Sequence, residues 1–215
     1  ELEPLELLRV DQPAGAVVVP LDHQLGVQEM ANLIRFVEAP ALFADEEKLE
    51  ALAGAGASLR LSLAPGRPNY VLQLPDAQEP LGAQAETDTA AILFTSGSTG
   101  APKGVCLDGD GLIDTALAVR ERLSDLPLRH HLAVLPLALL LENVAGIYAP
   151  LLRGMAVHLP PLHELGWRGM AGFDPGALDA AVRQADANSM ILVPELLKAW
   201  TAFLNAAGRR PSAAL

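Results

Sequence analysis

Four hydroxyls, three glycines, one proline and one lysine fall within Thr95–Val105, which reads TSGSTGAPKGV. Glycine lacks a Cβ, so the backbone there can turn its N–H groups toward a ligand without steric obstruction. Thr95, Ser96, Ser98 and Thr99 add short hydroxyl donors, and Lys103 adds a mobile positive charge. Together with the backbone of Gly97 and Gly100, these groups suit the capture of phosphate oxygens. The order is not that of a Walker A loop, which requires Gly-Lys-[Ser/Thr] in succession. Here Ala101 and Pro102 separate Gly100 from Lys103, and Gly104 follows the lysine. An apolar run at 90–94 enters the stretch like a buried strand, and an apolar-periodic helix follows it. A free Gly/Ser linker would need neither.

The elements that must position this loop alternate. Residues 15–20 predict a short strand closed by Pro20, and 28–37 a helix whose Met30, Leu33, Ile34 and Val37 share one face. A strand at 41–43, a helix at 46–53 and strands at 58–63 and 70–74 follow. The polar stretch 75–88 reads as a connector, dividing the chain into segments 1–80 and 81–215. Beyond the loop the pattern predicts strand 104–107, helix 112–123, strand 131–135, helix 140–152 and strand 156–159. An irregular stretch at 160–174 precedes helix 175–185, which starts on Pro175. Strand 189–193 and helix 195–206 complete the order. This is an α/β chain with layered, mainly parallel sheets flanked by helices, in three layers or more.

The 215 residues carry a formal charge of −11, with 26 acidic side chains against 15 Lys and Arg. No basic stripe is present to neutralise a phosphate backbone, which argues against a nucleic-acid partner. The lone Cys106 excludes an internal disulfide and fits a reducing, cytoplasmic compartment; it is expected to be a buried structural thiol. The acidic Glu1–Glu6 is unlike a signal peptide. Residues 132–152 approach the length of a membrane span. Glu142 and Asn143 with Pro136 and Pro150 interrupt them, so a strand followed by a core helix is expected instead. With no opening methionine and no closing element, the chain reads as a piece of a longer protein.

The stretch from Phe94 to Val105 resembles the phosphate loop of the adenylate-forming (AMP-binding) superfamily, which includes acyl- and aryl-CoA synthetases, nonribosomal adenylation domains and luciferases. Asp88 stands where members often carry an acid. The segments GAVVVPLDHQLGVQEMANLIRFVEAPALFAD, LPLALLLENVAGIYAPLLRGMAVHLP and ILVPELLKAW are similar to family segments in the same order. The resemblance implies part of the large N-terminal domain of an acyl-CoA synthetase-like enzyme, with the C-terminal domain absent from the chain. It implies an ATP- and Mg²⁺-dependent acid–thiol ligase that makes an acyl-adenylate from a small-molecule carboxylic acid, a fatty acid in the first reading, and passes the acyl group to coenzyme A. An adenylation domain loading an amino or aryl acid onto a carrier protein, and a noncatalytic nucleotide-binding relative, are the alternatives. Thr95, Ser96, Gly97, Ser98, Thr99, Gly100 and Lys103 are the implied nucleotide-binding residues. Thr95 and Thr99 would supply hydroxyl contacts, and Lys103, the implied catalytic residue, would meet the β/γ oxygens as the loop closes. No metal ligand is assigned. The family's magnesium-binding and ribose-binding segments and its C-terminal lysine lie downstream, so the fragment alone is expected to be inactive.

Two positions depart from the family pattern. Gly109 stands where many members open the next helix with histidine, and Leu139 stands where many carry a histidine lining the acyl pocket. Asp108 and Asp110 are expected to form a helix-capping turn and not a metal site. Alternation along a strand would send His130 and His131 to opposite faces. His158 and His163 are expected in surface or loop roles. Glu142-Asn143 reads either as polar capping within the core or as lining for a substrate pocket. Trp167 and Trp200 are expected to anchor packing.

Overall fold

A computed structural model of the chain describes residues 17–22, 24–37, 39, 41–44, 48, 50–52, 60–61, 70–73, 88–95, 103–169 and 172–211. They fall into two units, His23–Thr87 and a larger one of Glu1–Asp22 with Asp88–Leu215.

In the smaller unit the predicted apolar stripe forms helix α1, Val27–Phe36, which buries Met30, Ala31, Leu33 and Ile34. Strands β1 (Ala41–Ala44), β2 (Arg60–Leu61) and β3 (Tyr70–Gln73) form one sheet in the order β1-β3-β2. Both pairings are antiparallel, with Ala41 opposite Gln73 and Arg60 opposite the same residue. Of the helix expected at 46–53, residues 48 and 50–52 are helical, and Leu52 is fully buried. The polar connector lies almost wholly outside the described residues.

In the larger unit β4 (Thr89–Thr95) and β5 (Lys103–Asp108) make an antiparallel ribbon. Val18 supports it: its N–H donates to Ala90 O at 3.0 Å and its carbonyl accepts from Ile92 N at 2.9 Å. Of the strand expected at 15–20, the described residues 17–20 show one parallel bridge, between Val18 and Ala91. Helix α2 (Gly109–Arg122) leaves β5 directly. Its C-terminal end is held by Arg153, which donates to the carbonyls of Leu123, Ser124 and Leu126.

The predicted parallel sheet is β7-β6-β8, made of β6 (His130–Leu132), β7 (Ala156–His158) and β8 (Ser189–Met190). Helices α4 (Pro175–Gln184) and α5 (Pro194–Ala206) supply one core, in which Leu132, Val134, Leu165, Leu178 and Val182 are fully buried beside Trp200. Full burial of one such aliphatic side chain contributes about 2 kcal/mol over leaving it in water. A second cluster joins Ala116 of α2 to Val144, Ala149 and Leu152. Those three lie on the segment predicted as one α-helix over 140–152. It is instead a π-helix at Glu142–Tyr148 running into a short α3, Ala149–Leu152. The wider turn is visible where Ala149 N bonds Val144 O, five residues back.

Trp167 and Trp200 anchor packing as expected: Trp167 Nε1 donates to Val134 O at 2.9 Å, and Trp200 sits in the core. The irregular stretch before α4 is pinned at Gly166, whose φ is +95°. A Cβ there would stand 2.2 Å from Asp174 O, so the close approach needs glycine. Asp174 then caps α4, accepting from Gly176 N and Ala177 N. Cys106 corrects the sequence reading. It is exposed, because β5 is exposed from Lys103 to Cys106 and has β4 as its ladder partner among the described residues. Among those residues no helix is long and apolar enough to cross a membrane.

Buried Asp179 on α4 bonds Arg183 Nε and Arg209 Nη1, both at 3.0 Å. Burial alone would raise its pKa, but the hydrogen bonds from Arg183 and Arg209 and their charges outweigh that and hold it below the ordinary carboxylate value. Asp174 is lowered too, first by its bond from Arg168 and then by the Ala177 and Gly176 N–H groups. Groups with depressed folded-state pKa values stabilise the fold above the unfolded value near about 3.9 and lose that contribution as pH falls through the folded one. Asp179→Ala is expected to lower unfolding stability by about 1–3 kcal/mol at neutral pH. The difference from wild type should shrink as urea melts are repeated at progressively more acidic pH.

Candidate functional site: the β4–β5 ribbon and the groove beside α2

Buried Ala90, Ala91 and Leu93 fasten β4 into the larger unit and carry the chain to Thr95 at its exposed end. Across the ladder Thr95 faces Lys103, and Phe94 faces Gly104. The two described members of the predicted phosphate-binding set are therefore opposite each other, both exposed, at one end of the ribbon. Ser96, Gly97, Ser98, Thr99 and Gly100, the rest of that set, lie outside the described residues.

At the other end of the ribbon Thr89 pairs with Asp108, with a register shift between Thr89 and Ala91. Asp108 is the N-cap of α2, its Oδ1 accepting from Gly111 N at 2.6 Å, as the capping reading expects. The helix begins at Gly109, three residues before its predicted start, because this cap draws the Gly-Asp-Gly sequence into the first turn. Five strand steps of about 3.4 Å separate Lys103 from Asp108, so the α2 N-terminus stands about 17 Å along the ribbon from the loop. The N–H groups and dipole of the α2 N-terminus therefore stand away from Thr95 and Lys103. Gly109, the first departure from the family pattern, belongs to that remote end.

A groove of about 440 Å³ opens beside α2. One wall is Leu107, Asp108, Gly111, Leu112, Thr115 and Val119; the other is Leu140, Leu141, Val144 and Ala145. Its surface is almost wholly apolar, and its size suits a small organic ligand. Leu139, the second departure, is exposed and stands just ahead of the second wall.

His130 and His131 point to opposite faces of the sheet, as alternation requires. His130 Nδ1 lies 3.2 Å from His158 Nε2. Their centroids are 5.5 Å apart, a gap longer than the N–N distance by the two ring radii, so the nitrogens meet head-on as in an N–H···N hydrogen bond. His158 is therefore a half-buried partner in the sheet, a correction to its expected surface or loop role. His131 is buried on the other face, with Nδ1 at 2.9 Å from Ser189 Oγ and Nε2 at 3.7 Å from Glu142 Oε1. Glu142 is fully buried, and its Oε2 accepts from Leu135 N at 3.4 Å. Sequence reasoning flagged Glu142 but missed its neighbour His131, which only the packing of the π-helix beside β6 brings to it. Among the described residues no three His, Cys, Asp or Glu side chains converge as metal ligands would.

The family profile described as AMP-binding enzyme matches residues 12–214. The chain belongs to this AMP-binding enzyme family. Within the family, feruloyl-CoA synthase of an Amycolatopsis species is 31% identical over 203 residues, 91% of this chain and 37% of that protein. The hybrid PKS-NRPS synthetase mpsA of Macrophomina phaseolina is 36% identical over 104 residues, 46% of this chain and 2% of that protein. The crystal structure of ATP-bound MatB from Rhodopseudomonas palustris shares the fold, with a TM-score of 0.60 at 24% identity over 93% of this chain and 39% of that one. The chain therefore spans well under half the length of these AMP-binding relatives.

Removing the cap tests how far α2 depends on Asp108. Asp108→Ala is expected to cost about 1 kcal/mol in urea unfolding, and Asp108→Ser to recover most of it.

Proposed function

We propose that the chain is part of an ATP-dependent ligase that activates a carboxylic acid as its acyl-adenylate and passes the acyl group to the thiol of coenzyme A, in the cytoplasm. The observation that carries this reading is the pairing of Thr95 with Lys103 at the mouth of the hydroxyl- and glycine-rich loop, in a chain of the AMP-binding enzyme family. A carboxylate attacking the α-phosphate of Mg²⁺-bound ATP meets net negative charge. Thr95, Ser96, Ser98, Thr99 and the Gly97 and Gly100 backbone would hold the pyrophosphate leaving group, while Lys103 offsets its charge. No described residue is assigned to the metal ion. Leu140, Leu141, Val144 and Ala145 would give an acid an apolar wall, which favours an apolar acid such as a fatty acid.

The 36% identity to a hybrid PKS-NRPS synthetase supports a second reading, in which the acceptor is a carrier protein and the acid an amino or aryl acid. Pyrophosphate release by the full-length parent, measured with ATP, Mg²⁺ and a panel of fatty, aryl and amino acids, tests the first step. Acid-dependent release is expected, and Lys103→Ala should reduce it about 10²–10³-fold. Thioester formation with coenzyme A or with a carrier protein then chooses the acceptor. A folded parent that releases no pyrophosphate with any acid would point to a noncatalytic relative.

A further inference from the structure

Glu142 and His131 are a pair of buried polar groups that adenylation chemistry leaves unexplained. Neither His131 Nε2 nor Glu142 Oε1 hydrogen-bonds any described group, and each faces the other at 3.7 Å. A buried polar atom left without a partner is penalised, so a chain that buries both keeps them beside each other and away from apolar surroundings. The His131 ring is fixed in turn by Ser189, and the Glu142 carboxylate by Leu135 N. Glu142 opens the π-helix on the side facing β6. Leu140, Leu141, Val144 and Ala145, on its other side, form a wall of the groove. Gly146 closes the contact: a Cβ there would lie 2.5 Å from Glu142 Oε1 and 3.2 Å from His131 Nε2. The absent side chain lets the π-helix sit down onto the pair.

From this geometry we infer that Glu142 is a positioning residue that sets the groove wall through the π-helix and so selects the size of acid accepted. The inference rests on the reading that the groove receives the acid. Removing the carboxylate frees the first turn of the π-helix to shift against α2, so the groove changes shape while the phosphate loop, on another element, is untouched. Glu142→Gln preserves the anchor. Its carbonyl can accept from Leu135 N, and its amide can donate to His131 Nε2 once the ring takes the tautomer that donates to Ser189.

The experiment is pyrophosphate release by the full-length parent with straight-chain saturated acids from two to sixteen carbons, reading KM and kcat separately. Glu142→Leu is expected to raise KM about tenfold or more for acids long enough to fill the groove, with KM for ATP within about twofold of wild type. Glu142→Gln should keep the wild-type size profile. Gly146→Ala should reproduce the Glu142→Leu defect, because the new methyl would displace the Glu142 carboxylate from its place. This smaller change tests the contact even where Glu142→Leu folds poorly. An unchanged size profile in folded Glu142→Leu or in folded Gly146→Ala overturns the inference and leaves acid activation standing. Absence of acid-dependent release from the wild type overturns both.

Discussion

Because β4 and β5 exchange backbone hydrogen bonds from Thr95 and Lys103 at one end to Thr89 and Asp108 at the other, the loop between them and the helix after them are held at opposite ends of one ribbon. The ribbon is locked to Val18 through two further backbone bonds, so neither strand can slide without breaking several at once. A one-residue slip would also turn Ala91 and Leu93 out of the core. Register thus decides which residues meet at the mouth of the loop.

Much of this was legible in the residues. The stripe at Met30, Leu33 and Ile34, the proline start of α4, and the parallel β7-β6-β8 sheet follow from periodicity and local turn chemistry. What was illegible depended on tertiary partners. Nothing local tells a π-turn from an α-turn over 142–148; that choice is made by burying Glu142 against β6. Cys106 looked like core because its neighbours Val105 and Leu107 are apolar, yet β5 turns its surface outward. His158 lacked a visible partner because its neighbour in space, His130, is 28 residues away in the chain.

The two faces of β6 divide the labour. Leu132 goes into an apolar core closed by α4 and α5, where shape and volume decide stability. His131 goes to the opposite face, where polar atoms must find complements at the correct distance. Apolar packing tolerates small adjustments, whereas a buried polar chain specifies one arrangement more sharply. The groove wall meets both kinds of contact, with Glu142 bonded to Leu135 N on one side and Val144 packed against Ala116 on the other.

The order in which the chain emerges during synthesis gives the third strand a consequence of its own. β6 and β7 are separated by a single helical crossover, but the partner on the other edge of β6 arrives only with Asn188 and Ser189. The Asn188 side chain ties the amides of both Arg129 and His130, and Ser189 bonds Nδ1 of His131. A nascent chain that has passed β7 but not β8 therefore carries a bare sheet edge and an imidazole whose Nδ1 still lacks its partner. Such an edge attracts non-native strands, and chaperones shield surfaces of this kind. The final native pairing of this sheet waits on two small polar residues.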